Sequence, residues 1–154
     1  ESVIVNYNID NILKIYKKTI ILNKLISKEI GKDIIYSYRR ASNIIFNELK
    51  NNELELTGTA DPGLFKNEFE KILFKKIHEI RKDLTNISKE SNYEVMLKEF
   101  SSVKKEVNDF FENVKVNDDD ELIKKNRLEL LQMLCKTFDN YLNFSKIENI
   151  SWIN

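Results

Sequence analysis

The chain has 154 residues, and its 25 basic side chains balance 25 acidic ones, so the formal net charge is zero. This balance excludes binding of nucleic acid through overall positive charge, and any RNA contact would need a local patch. Three glycines and one proline indicate long helices rather than a strand-and-turn fold.

A single cysteine excludes an internal disulfide and predicts a reducing compartment, the cytoplasm. No apolar run approaches the roughly 20 residues that cross a bilayer, and no signal-peptide pattern is present, so we expect no membrane partner. The length suits one domain. Because the chain begins with Glu1 rather than methionine, we expect it to be a piece of a longer protein.

A first helix is predicted to begin after Asn8 or Asp10 and to end near Ile30. It carries apolar residues on two different faces, whereas a surface helix usually has one apolar stripe. Two stripes indicate either central burial or a second face for a neighbouring part of the protein. Residues 1–30 are therefore predicted to form an N-terminal helix that is either buried centrally or packed on a missing upstream part of the protein.

Gly31 is predicted to end the first helix, and Asp33 to cap a second helix that runs to about Leu49. The second helix has a stripe of apolar residues at helical spacing. Its predicted buried face consists of Ile34, Tyr38, Ala41, Ile45 and Leu49.

A separate polar stripe follows the second helix. It consists of Tyr36, Arg40, Asn43 and Asn47, at spacings of i, i+4, i+7 and i+11, with Arg39 beside it. An aromatic ring, cations and amides are the groups that hold unstacked bases of single-stranded RNA. The same spacing also suits a solvated face on which Arg40 bridges two helices. The pattern alone leaves both interpretations open.

After a polar linker over residues 51–60, Asp61 and Pro62 are typical of an N-cap and a first helical residue. A third helix is predicted from Gly63 to about Ser88, and a fourth from about Tyr93 to Val114. The apolar residues that the third helix is predicted to bury are Phe65, Phe69, Ile72, Ile77, Ile80, Leu84 and Ile87.

The stretch from Val107 to Leu134 is predicted to be a helix end, a loop and the start of a fifth helix. The acidic run over residues 118–121 supplies an N-cap and negative charge at that start. Arg127 lies close to the apolar stripe of the fifth helix, where a guanidinium must be paired or bound to a ligand. It is predicted either to pair with the acidic run or to contact a phosphate or base. The predicted fold is all-α, with about five helices in an antiparallel bundle.

The segment FFENVKVNDDDELIKKNRLELLQML resembles the C-terminal, DALR-type anticodon-binding domain of the bacterial glycyl-tRNA synthetase β chain. Lys124 departs from the family pattern, which usually has arginine there. The segment IIYSYRRASNII also resembles the family, with Arg39 where lysine is usual. The matching positions are Tyr38, Arg40, Ala41, Asn43, Ile44, Phe110, Phe111, Glu112, Val114, Val116, Asn126, Arg127, Leu128, Leu130 and Leu131.

The resemblance spans roughly residues 30–147. It implies an anticodon-binding helical domain over residues 31–147 and a tail over residues 148–154. It implies that tRNA-Gly, the remainder of the β chain and a catalytic α subunit are partners, and that ATP and Mg²⁺ serve the parent enzyme rather than this fragment. The residues expected to bind RNA are Tyr36, Arg39, Arg40, Asn43, Asn126 and Arg127.

The sequence offers no catalytic or metal-binding set. His78 is the only histidine, and Lys75 stands where a helical di-iron motif needs glutamate. Cys135 lies on the apolar stripe and is predicted to be a core residue. The fragment is therefore predicted not to be an enzyme by itself. The alternatives are a purely structural docking module and, less favoured, a helical enzyme whose site is shared with a missing part.

Overall fold

The computed structural model describes residues 29–51, 54–86 and 93–141. Five helices are present there: α1 (Glu29–Asn51), α2 (Glu68–Asn86), α3 (Tyr93–Ser101), α4 (Lys104–Asn113) and α5 (Glu121–Asp139), with a 3₁₀ turn at Pro62–Leu64. The predicted all-α bundle is confirmed. The predicted first helix, up to residue 28, and the predicted tail lie outside the described residues.

Helix α5 lies at the centre of the bundle. Thirteen of its 19 residues are buried, and it packs against α1, α2 and the 3₁₀ turn. A helix buried on nearly all sides must satisfy its polar side chains inside the protein. This requirement explains why α5 makes most of the long-range polar contacts described below.

Helix α1 packs one face on α5. Ile34, Tyr38, Ala41 and Ile45 are buried as predicted, and the Tyr38 ring stacks on Phe138 with the ring centroids 6.3 Å apart. The Tyr38 hydroxyl also donates a hydrogen bond to Asp139 over 3.0 Å. These contacts fix the orientation of α1, so its opposite face is turned away from the core.

The expected buried position of Leu49 is wrong, since its side chain is 39% exposed in the last turn of α1. The predicted boundary at Gly31 and Asp33 is also wrong, because α1 runs without interruption through both residues. Glycine costs only about 1 kcal/mol in a helix, and the adjoining buried face outweighs that cost. Asp33 does not cap a helix; its carboxylate accepts from Lys104 Nζ over 2.6 Å.

The start of the third predicted helix is displaced. Asp61 does act as a cap, accepting from Gly63 N over 2.8 Å, but it caps the short 3₁₀ turn. Helix α2 then begins at Glu68, where Asn67 accepts from Glu70 N and Glu70 accepts from Asn67 N, in a reciprocal capping box. Three residues thus separate the proline turn from the helix that it was expected to start.

The burial predicted for the third helix is confirmed only in part: Phe65 and Phe69 are partly buried against the core, and Phe65 precedes α2. Ile72 is 44% exposed, so its predicted burial is wrong, and Leu73 is buried in its place. Burial of Ile77, Ile80 and Leu84 is confirmed, while Ile87 lies outside the described residues. Leu73 lies four residues before Ile77 and so on the same face of the helix, whereas Ile72 is rotated away from it.

The predicted fourth helix is two helices. Ser101 and Ser102 donate from their hydroxyls to the carbonyls of Lys98 and Glu99, over 2.9 and 2.7 Å. Serine hydroxyls that bond the preceding turn compete with the helical backbone pattern. The chain turns at Ser102 and Val103, and α4 begins at Lys104. Among the described residues, no helix has both the length and the apolar character needed to cross a membrane.

Candidate nucleic-acid interface

The outer face of α1 brings together most of the residues predicted to bind RNA. Tyr36 is 51% exposed, Asn43 is exposed, and Arg39 and Arg40 are half-buried. All four lie on the side of α1 opposite the one that packs on α5. We define the α1 face as the residues that share this surface: Tyr36, Arg39, Arg40, Asn43, Phe46, Asn47 and Lys50.

Arg40 connects α1 with α4. Its guanidinium carbon lies 4.4 Å from the centroid of the Phe111 ring, and its Nη1 donates to the Tyr36 hydroxyl over 3.3 Å. The bridging of helices by Arg40, one of the two alternatives open from the sequence, is therefore observed. The contact also holds the guanidinium, which is half-buried, beside the Tyr36 ring.

Phe46 belongs to the α1 face and was missed from the sequence. Its ring is 65% exposed, while Asn43 and Asn47 lie next to it on the helix surface. A signal was present: Phe46 lies off the line of buried residues that runs through Ala41 and Ile45. A phenylalanine on the polar side of an amphipathic helix is expected either to be exposed or to have a partner.

Arg127 is buried in the interior, not on the α1 face. Its Nε donates to Glu70 over 2.8 Å, and its Nη1 donates to the Lys115 carbonyl over 2.8 Å and to Asp118 over 2.5 Å. Its predicted pairing with the acidic run is confirmed through Asp118. The guanidinium thereby ties α5 to the start of α2 and to the loop before α5.

The charges around Arg127 stabilise one another. Burial acts to lower the pKa of Arg127, but hydrogen bonds to Glu70 and Asp118 outweigh that effect and raise the pKa above its usual value. The pKa of Asp118 is lowered, first by the backbone N–H of Asp120 and then by Arg127. Both pKa shifts favour the charged forms of Arg127 and Asp118.

Asn126 is also buried and forms a paired contact with the linker. Its Oδ1 accepts from Asp61 N over 2.7 Å, and its Nδ2 donates to the Asp61 carbonyl over 2.9 Å. The two bonds hold the backbone just before the 3₁₀ turn. Both predicted RNA-binding residues on α5 thus have partners within the chain, and their contact with RNA stays a prediction.

Glu129 was not singled out from the sequence, yet its carboxylate organises a loop. It accepts from the backbone N–H groups of Thr57, Gly58 and Thr59, at 3.0, 2.5 and 3.1 Å. The Thr57 hydroxyl donates to the same carboxylate over 3.3 Å. Convergence of several donors is what a buried carboxylate requires. These bonds therefore fix residues 57–59 of the linker, which the sequence indicated only as polar.

Gly58 is required where this loop meets α5. Its φ is +76°, and a Cβ there would lie 2.7 Å from Lys136 Cδ. The Lys136 ammonium in turn donates to the Thr57 carbonyl over 2.6 Å. Both the backbone conformation and the close approach of the lysine favour a residue without a side chain.

We expect Gly58→Ala to lower the free energy of unfolding by about 1–2 kcal/mol, because L-residues are strained at positive φ. Urea unfolding monitored by circular dichroism measures the change. The same substitution in a Lys136→Ala background separates the two causes. A cost that persists there identifies the backbone strain, whereas a cost that vanishes would assign the effect to the displaced lysine and contradict the prediction.

A second buried charge ties α1 to α5 at the far end of the α1 face. Lys124 Nζ lies 2.9 Å from Glu48, and the hydrogen bond to Glu48 raises the pKa of this lysine. The pairing turns the Glu48 carboxylate towards α5.

The sequence of this chain is similar to those of known proteins. The family described as the DALR anticodon binding domain matches residues 34–151. The glycine–tRNA ligase beta subunit of Rickettsia prowazekii (strain Madrid E) is 36% identical over 126 residues, which cover 82% of this chain and 18% of that protein. The corresponding subunit of Rickettsia canadensis (strain McKiel) is 31% identical over 146 residues, or 95% of this chain and 21% of that protein.

The chain thus spans about a fifth of the length of these relatives. The family match begins inside α1 and extends past α5, so it includes the central helix and the elements fastened to it. Because the match covers most of the sequence and the fold is all-helical, the chain belongs to the DALR anticodon binding domain family.

Proposed function

We propose that this chain binds the anticodon loop of tRNA-Gly as part of a glycine–tRNA ligase beta subunit. The observation that carries the proposal is the α1 face, where ring, cation and amide side chains are presented together on a rigid helix. Family membership and the similarity to glycine–tRNA ligase beta subunits identify the ligand class. The remainder of the β chain and a catalytic α subunit are the proposed protein partners.

The chemistry of the α1 face suits unpaired bases rather than a duplex. Single-stranded RNA is bound through stacking on aromatic or guanidinium planes and through hydrogen bonds to exposed base edges. Tyr36 and Arg40 supply the planes, and Asn43 supplies an amide with both a donor and an acceptor. The cations also provide the local positive charge that the neutral chain lacks as a whole.

Glycine anticodons end in two cytosines, since glycine codons begin with two guanines. Cytosine offers an amine donor at N4 and acceptors at O2 and N3. Arg39, Arg40 and Asn43 provide donors for the acceptors, and the exposed Glu112 on α4, next to Phe111, provides an acceptor for the amine. The proposed role is recognition: the chain holds the anticodon while ATP- and Mg²⁺-dependent glycylation takes place in the rest of the parent enzyme.

Arg40→Ala is expected to weaken binding of a tRNA-Gly transcript by about 1–3 kcal/mol, because it removes a guanidinium that meets a base edge or plane. Fluorescence anisotropy measures the affinity. We also expect thermal stability to fall slightly, since the cation–π contact with Phe111 contributes about 0.5–1 kcal/mol. Binding should be salt-sensitive in proportion to the few phosphate contacts available.

Two controls make the test specific. Lys75→Ala also removes one exposed positive charge, but this lysine belongs to α2 and not to the α1 face. The substitution should leave the affinity for tRNA-Gly nearly unchanged. A transcript whose anticodon cytosines are replaced should bind the unsubstituted chain less tightly than tRNA-Gly does. The Arg40→Ala variant should bind this transcript and tRNA-Gly with equal affinity. Equal affinity of folded Arg40→Ala and unsubstituted protein for tRNA-Gly would refute the proposal and favour a structural docking role.

A further inference from the structure

We infer that Phe46 is a stacking platform for an unpaired base, separate from the platform formed by Tyr36 and Arg40. This inference rests on the proposed function and adds a second base-binding position to it. Phe46 is the most exposed of the phenylalanine and tyrosine side chains whose burial the structure describes, at 65%. The exposed ring lies on the helix that carries the predicted RNA-binding residues.

The polar surroundings of Phe46 favour a nucleic acid over a protein partner. Within the α1 face, Arg39 lies seven residues before Phe46, Asn43 lies three residues before it, and Lys50 lies four residues after it. These spacings place all of them on the same side of the helix. No residue of this face is acidic. An apolar protein surface would have to desolvate these cations, whereas a nucleotide supplies phosphates for them and a flat base for the ring.

The carboxylates of α1 that lie nearest the face are engaged elsewhere. Asp33 accepts from Lys104 on α4, and Glu48 pairs with Lys124 on α5. Their negative charge is thereby offset by neighbouring lysines on other helices. Two further carboxylates lie near the face: Glu29, which pairs with Lys32, and the exposed Glu112 on α4. The three cations Arg39, Arg40 and Lys50 outnumber them, so an approaching phosphate backbone meets a net positive charge.

The spacing of the two rings indicates two different nucleotides. Tyr36 and Phe46 are ten residues apart, which is about 15 Å along a helix at 1.5 Å per residue. That separation is too long for one base to contact both rings. Arg40 and Asn43 lie between them, so the face has room for bases at its two ends and for polar contacts in the middle.

The test compares Phe46→Leu with Phe46→Tyr in the full chain, with the anticodon stem-loop of tRNA-Gly as ligand. Leucine keeps an apolar side chain but has no π-face, while tyrosine keeps the ring. We expect Phe46→Leu to weaken binding by up to about 5- to 150-fold, the range found when alanine replaces a ring that stacks on one base. Phe46→Tyr should bind as the unsubstituted chain does.

Leu122, in the first turn of α5, provides a control, because it is an apolar side chain of similar exposure (67%) outside the α1 face. Leu122→Ala should not change the affinity. If Leu122→Ala weakens binding as much as Phe46→Leu does, binding depends on exposed apolar side chains in general, as at an apolar docking surface, and the inference fails. If Phe46→Leu binds as the unsubstituted chain while Asn43→Ala weakens binding, the inference fails and the proposed function stands. If neither Phe46→Leu nor Asn43→Ala weakens binding, both the inference and the proposed function fail.

A fluorescence measurement reports stacking directly. The chain contains a single tryptophan, Trp152, so Phe46→Trp combined with Trp152→Phe places one reporter on the α1 face. A base that stacks on this ring should quench its emission when the stem-loop is added. Unchanged emission at saturating RNA would overturn the inference.

Discussion

Arg127→Ala is expected to lower the free energy of unfolding by about 3–5 kcal/mol, the usual cost of breaking a buried ion pair by removing one partner. The substitution would leave the fully buried Glu70 carboxylate without its guanidinium and the Lys115 carbonyl without its side-chain donor. Urea unfolding of the variant and the unsubstituted chain measures the loss. Arg127→Lys should recover only part of it, because an ammonium cannot reproduce the fork of donors.

The control for this prediction is an ion pair at the surface. Lys105 and Asp109 pair on α4 with the lysine 79% exposed, and exposed pairs of this kind contribute little to stability. Lys105→Ala should leave the unfolding midpoint unchanged within error. A midpoint unmoved by Arg127→Ala, together with lost tRNA binding, would instead make Arg127 a ligand contact.

Glu129→Ala is expected to cost about 2–4 kcal/mol, because several backbone donors of the loop over residues 57–59 lose their acceptor at once. Glu129→Gln should recover much of the loss, since Oε2 accepts most of these bonds and an amide oxygen can take its place. Hydrogen exchange of the Gly58 and Thr59 amides provides a local measurement beside the urea midpoint. Amides that stay protected in Glu129→Ala would show that the loop is held by other contacts.

Helical periodicity was enough to predict the fold class and most of the core. The apolar stripe through Ile34 and Ala41 is buried as expected, and so is Cys135 on the stripe of the fifth helix. Their spacing depends only on the 3.6-residue repeat, which the sequence displays directly. The acidic start of α5 was equally readable, because Asp120 caps the helix by accepting from Leu122 N.

Helix boundaries were predicted less well, because weak local signals competed with packing. Gly31 looked like a terminator, but burial along the rest of α1 carries the helix through it. Ser101 and Ser102 are ordinary helix residues by composition, yet their hydroxyls bond the preceding turn and the helix ends. Asp61 and Pro62 did mark a turn, but they did not show which helical form follows.

The partners of buried charges could not be predicted from local pattern. The sequence predicted that Arg127 would be paired or bound to a ligand, and the acidic run that it indicated as one partner provides Asp118. It did not indicate Glu70, which is 57 residues away in the chain and lies in the first turn of α2. The same holds for Glu129 and its loop. Such pairs depend on how distant segments come together, which no single-helix periodicity encodes.

The contacts of α5 also set an order for folding. Helical bundles usually fold quickly because their contacts are local in sequence. Here Glu129 and Thr57 are 72 residues apart, and Tyr38 and Asp139 are 101 residues apart. During synthesis on the ribosome, α1 and α2 emerge well before the helix that fastens them. We therefore expect the nascent chain to remain loosely packed, with the Glu70 carboxylate hydrated, until the last of these helices has been released.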